Sequence, residues 1–347
     1  MVDLRRNKEI ILIIIFTLTL IGCSKDQASN VKLKTGHKLG TVIKIKIYHP
    51  QAEKLAQDSF TLIDEIENRM SSHTDNSEIN EINRFAGQKA VEVSSETYYV
   101  IKEALDYAQL SAGAFDPTIG PLVQLWGIGT KEEQVPKKEK ITEKLALVDY
   151  GNVKLMKENK VLLSKAEMRL DVGGIAKGYA ADRVIAYLKE KGVKSAYIDI
   201  GGNVSVLGTK ENNDQWTVGI QDPKKERGKI LAALEAENKT IVSSGNYERY
   251  FTEQGTRYHH LLNPKTGYPA RKGVIGTTIV AKNSLKADAL STAVYVLGLE
   301  KGLSLVKDLE DVEAVVVTED NKIHITSGLE DKIQISNRSD YQIIREE

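Results

Sequence analysis

The stretch Leu170-Asp-Val-Gly-Gly-Ile-Ala-Lys-Gly-Tyr-Ala-Ala-Asp182 joins two periodicities that cannot belong to one element. Residues from Val161 to Arg169, Leu170 and Val172 read as an extended apolar segment. Ala176, Tyr179, Ala180, Val184 and Leu188 then recur at helical spacing. Gly173 and Gly174 mark a strand-to-helix turn between them, where backbone amides can face an anionic ligand. No Ser or Thr follows Lys177, as a Walker loop requires, and the glycine spacing is not that of a Rossmann turn. Taken alone, the stretch is equally a structural turn with a packed glycine.

The rest of the chain mixes helices and strands without strict alternation. Thr41 to Tyr48 alternates, with Ile43, Ile45 and Ile47 on one face and Lys44 and Lys46 on the other, a half-buried strand. Leu55, Leu62, Ile63, Ile66 and Met70 form a helical stripe. Ser94 is placed to cap a helix running to about Leu110, which Gly113 ends. Strands are expected at Ser195–Ile200, Trp216–Ile220 and Val274–Val280, and a helix from Ser284 to Leu297 with Gly298 beyond it. Ala314–Thr318 and Lys322–Thr326 read as a closing hairpin. The pattern predicts a mixed α/β (α+β) body with substantial antiparallel sheet rather than a doubly wound nucleotide fold.

Arg5, Arg6 and Lys8 precede a short apolar run that ends Leu20-Ile21-Gly22-Cys23, the pattern of a bacterial lipoprotein signal. The expected organisation is a signal peptide over 1–22, a lipid-anchored tether over 23–33, a catalytic domain over 34–330 and a C-terminal tail over 331–347. Cys23 is the single cysteine and the expected lipidation site, which leaves no disulfide to support the body. The expected location is the extracytoplasmic face of a bacterial membrane. Lysine plus arginine and aspartate plus glutamate both number 48, so no net field favours nucleic acid.

Three clusters carry candidate chemistry. Gly113-Ala-Phe-Asp-Pro-Thr through Leu125-Trp-Gly127 is a pinned loop in which Asp116 is either an Asx-turn residue or a ligand carboxylate, and Trp126 offers a ring. Ser243–Phe251 and Tyr258–Tyr268 are expected to form a hairpin that gathers Ser244, Tyr247, Arg249, His259 and His260. Adjacent histidines on a strand point to opposite faces, so at most one enters a given site. Asp288 and Thr292 share one helix face, and a carboxylate with a hydroxyl is a donor set that magnesium prefers. Alone, the pair also reads as an acid near a helix N-terminus.

Together these clusters resemble the FAD:protein FMN transferase family, the ApbE-type flavin transferases. The matching runs are Leu39-Gly-Thr41, Met70 with Ser77-Glu-Ile79, the 113–127 loop, Leu170 to Gly178, Ile200-Gly-Gly-Asn203, Gly219-Ile-Gln-Asp-Pro223, Ser244 to Tyr250, His259-His260 to Gly267, and Ala287 to Ala293. The resemblance implies a T-fold-like body that binds FAD and Mg²⁺ and transfers FMN from FAD to a Thr or Ser hydroxyl of a target protein. A phosphoester forms and AMP is released. The implied acceptor is a membrane-associated, extracytoplasmic protein. Implied flavin contacts are Leu39, His73, Ala114, Phe115, Asp116, Asp171, Lys177 and Leu262, and implied magnesium ligands are Gly174 through its carbonyl, Asp288 and Thr292. His73 stands where the family commonly has Tyr or Trp, Asn246 where Asp is frequent, and Leu39 where Met is common. Candidates for the base that activates the hydroxyl are Asp116, Asp171 and His260, with His260 preferred. Alternative readings of the same residues are an extracytoplasmic FAD pyrophosphatase and a lipid-anchored flavin-binding protein without turnover.

Overall fold

A computed structural model describes residues 30–336 and 339–346. The expected signal peptide and the Cys23 anchor lie outside the described residues. Among the described residues, nine strands join in one sheet in the order Val31–Lys38, Thr41–Tyr48, Ser195–Ile200, Asn203–Leu207, Thr240–Gly245, Val274–Ala281, Glu313–Thr318, Lys322–Thr326 and Gln342–Glu346. Every neighbouring pair is antiparallel except the last, where Gln342–Glu346 runs parallel to Lys322–Thr326. The segment expected as a tail is therefore part of the body. Ile333–Ile335 also pairs with Ile230–Ala236 in a smaller sheet that includes Trp216–Gln221.

The helices are α1 (Ala52–Met70), α2 (Glu78–Arg84), α3 (Ser95–Leu110), α4 (Gly120–Trp126), α5 (Lys138–Leu145), α6 (Gly173–Glu190), α7 (Ser284–Leu297) and α8 (Leu299–Lys307). Ile43, Ile45 and Ile47 are fully buried in one core cluster with Leu55, Ile63 and Ile66 of α1 and Ile175 and Val184 of α6. Alternation in the strand thus meets helical periodicity across one apolar layer. A second layer lies where Val204, Val206, Ile241 and Val315 meet Trp216, Val218 and Leu234 of the smaller sheet. The central strand Val274–Ala281 is buried at every position, because Ile279 packs with α7 residues while Ile275 and Val280 join the cluster of the smaller sheet.

Two expectations change. The extended segment predicted from Val161 to Val172 is a strand only over Lys160–Leu163. Beyond it, the backbone of Leu170 is satisfied by a side chain: its amide donates to Asn83 Oδ1 at 2.6 Å and its carbonyl accepts from Asn83 Nδ2 at 3.0 Å. The Asp171 amide donates to the Pro117 carbonyl at 2.8 Å. Buried backbone groups need partners, and here Asn83 and the 113–119 loop supply them where the pattern suggested a ladder. Gly173 and Gly174 are then the first residues of α6, not a turn before it.

The second change concerns the expected 243–268 hairpin. Only Tyr250–Glu253 and Thr256–His259 pair with each other, while Thr240–Gly245 belongs to the large sheet. Arg249 and His260 still meet, but Ser244 turns to α7, where its hydroxyl lies 2.8 Å from that of Ser291.

Candidate active site at the α6–α7 crossing

Helices α6 and α7 cross at Gly178. A Cβ built on Gly178 falls 2.3 Å from the Ser284 carbonyl oxygen, so only glycine permits this approach. One helical turn beyond Gly178, Asp182 holds the same start of α7 by accepting the amides of Ser284 and Leu285 at 2.8 Å each. Burial raises the Asp182 carboxyl to about 6, despite those two amides.

This contact brings Asp288 to α6. Asp288 is 2 % exposed. Its Oδ2 accepts the Gly178 amide at 2.9 Å, and Lys177 Nζ lies 3.2 Å from Oδ1 and 3.5 Å from Oδ2. One helical turn on, Thr292 approaches the start of α6: a Cβ placed on Gly174 would sit 3.9 Å from Thr292 Oγ1 and 3.1 Å from the Phe115 ring. The sequence-expected set Gly174, Asp288 and Thr292 is thus gathered at one crossing, with Phe115 beside it. Ala114 is buried next to Phe115.

The remaining residues distribute around this centre. Asp171 Oδ1 accepts the Gly173 amide at 2.8 Å, and Oδ2 accepts Ser72 Oγ at 3.3 Å, which tethers the loop bearing exposed His73. Leu39 occupies a left-handed turn position with φ 52°, held by its amide donating to Glu67 Oε1 at 2.9 Å. Arg249 Nη2 donates to the Gly40 carbonyl at 3.1 Å and so ties that turn to the hairpin bearing His260.

His260 Nδ1 lies 3.3 Å from the Arg249 carbonyl. A carbonyl only accepts, so Nδ1 carries the proton of the neutral ring and Nε2 is the basic nitrogen. The ring keeps part of its surface open, yet protein crowds it. Burial first, then the Arg249 guanidinium, push its pKa down to about 3. His259, expected to face the other way, does so. It is 4 % exposed, shares a hydrogen bond with the Ala270 carbonyl at 3.1 Å and meets the Tyr295 ring edge-on.

Three of the expected residues also have partners within the protein. Both oxygens of Asp116 serve its own loop: Oδ1 accepts the Thr118 amide at 2.8 Å and hydroxyl at 2.6 Å, and Oδ2 accepts the Tyr150 amide at 3.3 Å. It makes the Asx turn that the sequence allowed, and burial raises its carboxyl. Trp126 is fully buried, its Nε1 donating to the Gly267 carbonyl at 2.8 Å, so its ring is core. Leu262, 6 % exposed, packs in the same cluster with Leu122 and Ile141. Asn83, on α2, and Ser72, in the loop after α1, position Leu170 and Asp171 and carry no sequence signal, since a polar residue gives no sign of a partner 87 or 99 positions away.

Among the described residues no group of three His, Cys, Asp or Glu side chains converges to hold a metal. A cation here would have one carboxylate, one hydroxyl and one carbonyl. Such a hard and incomplete set suits magnesium, which keeps several waters and completes its shell with substrate phosphates. The Asp288 oxygen already faces a cationic group in Lys177, so the donor set fits that ion.

A mixed α/β body with a carboxylate, an ammonium and a helix N-terminus at one crossing defines a class of protein suited to a phosphate-bearing ligand. The chain matches the ApbE family over residues 39–316, and it belongs to that family. It is 35 % identical over 315 residues to the FAD:protein FMN transferase of Treponema pallidum (strain Nichols), covering 86 % of this chain and 87 % of the relative. It is 36 % identical over 290 residues to that of Klebsiella pneumoniae (strain 342), covering 83 % and 90 %. Among solved structures, the ApbE protein of Thermotoga maritima superposes with a TM-score of 0.80 at 34 % identity, covering 86 % of this chain and 97 % of that one. The flavin transferase ApbE of Vibrio cholerae superposes with 0.79 at 26 % identity, covering 87 % and 99 %.

Proposed function

We propose that this protein is an FAD:protein FMN transferase that moves the FMN half of FAD onto a Thr or Ser hydroxyl of an acceptor protein. The observation that carries the reading is the convergence of Lys177, Asp288, Thr292 and Gly174 at the α6–α7 crossing, in a chain of this family. The acceptor hydroxyl oxygen bonds to the FMN phosphorus, the phosphorus–oxygen bond to AMP breaks, and AMP leaves with its electron pair. The products are a phosphoester on the acceptor and AMP.

Asp288, Thr292 and the Gly174 carbonyl would hold Mg²⁺, which supplies charge neutralisation on the diphosphate oxygens when bound. Lys177 places a second positive charge against the same diphosphate. His260 Nε2 takes the hydroxyl proton. Its low basicity in the free protein is opposed once phosphate charge faces Lys177 and Arg249, two cations that depress it. Leu39, His73, Ala114, Phe115, Asp116, Asp171 and Leu262 would contact the flavin, as the family resemblance implies.

Anchoring through a lipidated Cys23 on the extracytoplasmic face is part of this proposal and rests on the Leu20–Cys23 pattern. Among the described residues no helix is long and apolar enough to cross a membrane. The test is to incubate the protein with FAD, Mg²⁺ and a candidate acceptor and to scan a denaturing gel for flavin fluorescence. Fluorescence on the acceptor with release of AMP supports transfer. Free FMN and AMP with no labelled protein, for acceptors that other family members label, replaces it with hydrolysis.

A further inference from the structure

We propose that Lys177 is the resident counter-cation of Asp288, and that a divalent cation binds by displacing it, which releases the ammonium toward the substrate diphosphate. The inference rests on the metal site proposed above and concerns how that site is kept before metal arrives.

A carboxylate that is 2 % exposed needs a partner for its charge. Asp288 has two. The Gly178 amide is fixed by the helix and holds Oδ2 at 2.9 Å. Lys177 holds Oδ1 at 3.2 Å and is the adaptable partner, because its side chain is 24 % exposed and rotates about four methylenes. Thr292 lies one helical turn beyond Asp288 and near Gly174 at the start of α6. In the proposed site the ion takes an Asp288 oxygen, and Lys177 and the Gly178 amide already engage both of them. Two cations sharing one carboxylate oxygen repel each other strongly where water is scarce. Binding of one thus means departure of the other.

The Lys177 side chain is 24 % exposed at this crossing, so its open side is the side on which the proposed reaction seats the diphosphate. An ammonium leaving Asp288 toward that side meets the phosphates. Metal binding and substrate charge recognition are then coupled through one side chain, and the free protein carries no uncompensated buried carboxylate.

The exchange lowers apparent metal affinity by the fraction of time Asp288 is free. If that fraction is about one in ten, removing the ammonium tightens metal binding about tenfold. Mn²⁺ binding, followed by electron paramagnetic resonance without FAD, reads this directly. Lys177→Met should bind Mn²⁺ about tenfold more tightly than wild type, Lys177→Arg should not gain, and Asp288→Asn should lose the site. A second measurement uses the wild-type protein alone: acetylation of Lys177, followed by mass spectrometry, should accelerate several-fold when Mg²⁺ is added. Equal or weaker Mn²⁺ binding by Lys177→Met, with acetylation indifferent to Mg²⁺, overturns the exchange while leaving the metal site standing. Failure of the wild-type protein and of every variant to bind Mn²⁺ overturns the metal site itself.

Discussion

Arg249 Nη2 donates to the carbonyl of Gly40 at 3.1 Å, joining a strand turn near the start of the described body to the hairpin that carries His260. The same residue accepts the His260 amide at 3.1 Å and lies 3.3 Å from His260 Nδ1 through its carbonyl. One arginine thus positions the Leu39 turn on one side and the candidate base on the other.

Replacing Arg249 separates these roles. Arg249→Ala removes a charged hydrogen-bond donor from an exposed contact, so FAD binding should weaken by about 1 kcal/mol, roughly fivefold. It also removes a cation that lowers His260, so the His260 pKa should rise from about 3. The acid limb of single-turnover transfer and the histidine titration by nuclear magnetic resonance should move upward together. A change in FAD affinity with an unmoved titration would contradict the electrostatic part.

Asp288→Asn keeps the Gly178 amide bonded but removes the only full negative charge assigned to the ion. Loss of one such electrostatic contact typically lowers rates by about 10²–10³. Transfer should fall by that order while FAD affinity falls much less. Thr292→Ala should be milder, since water can replace a neutral oxygen. Single-turnover rates against Mg²⁺ concentration decide the matter, and wild-type dependence in Asp288→Asn would remove it from the ligand set.

Gly178→Ala drives a methyl to 2.3 Å from the Ser284 carbonyl oxygen, a backbone atom that cannot swing aside. Forced repacking of a tight contact typically costs about 1–3 kcal/mol. Equilibrium denaturant unfolding should show that loss. Because the same shift moves Gly178 from Asp288, Mn²⁺ affinity should fall in the molecules that remain folded.

His259 gives stability a defined acid dependence. Its folded pKa is lowered to about 4, mainly by burial, from an ordinary value of 6.5. In that interval the unfolded chain binds more protons, so stability is fully present above pH 6.5 and falls as pH drops toward about 4. The full span is worth about 3 kcal/mol. Asp182, raised to about 6, works in the opposite sense over part of the same range. Unfolding free energy measured from pH 7 to pH 4 should therefore decline less steeply in His259→Gln than in wild type, and equal slopes would refute the assignment.

Much of this molecule was legible in local pattern. The alternation of Ile43, Ile45 and Ile47, the Ser94 cap and the spacing of Asp288 and Thr292 all depend on residues within a few positions of one another. The ordered motifs of the chain likewise carry the family resemblance without reference to any tertiary contact. What pattern could not show is which partner a polar side chain finds at a distance. Asn83 occupying the Leu170 backbone cut short a strand that hydrophobicity alone extended to Val172. Asp116 carries the same local signal for a ligand and for an Asx turn, and only its contacts with Thr118 and Tyr150 show that it makes the turn.

The sequence by itself determined many of the elements and the antiparallel character of the body, because periodicity and chain-local chemistry need no tertiary contact, while the ordered motifs of the family implied which residues stand at its centre. The tertiary structure decided how they act on one another. Lys177 and Asp288 lie 111 positions apart, and they pair only because Gly178 lets two helices touch at Ser284. Long-range pairing of charges is set by how helices pack, and packing is a property of the folded chain rather than of any stretch of it.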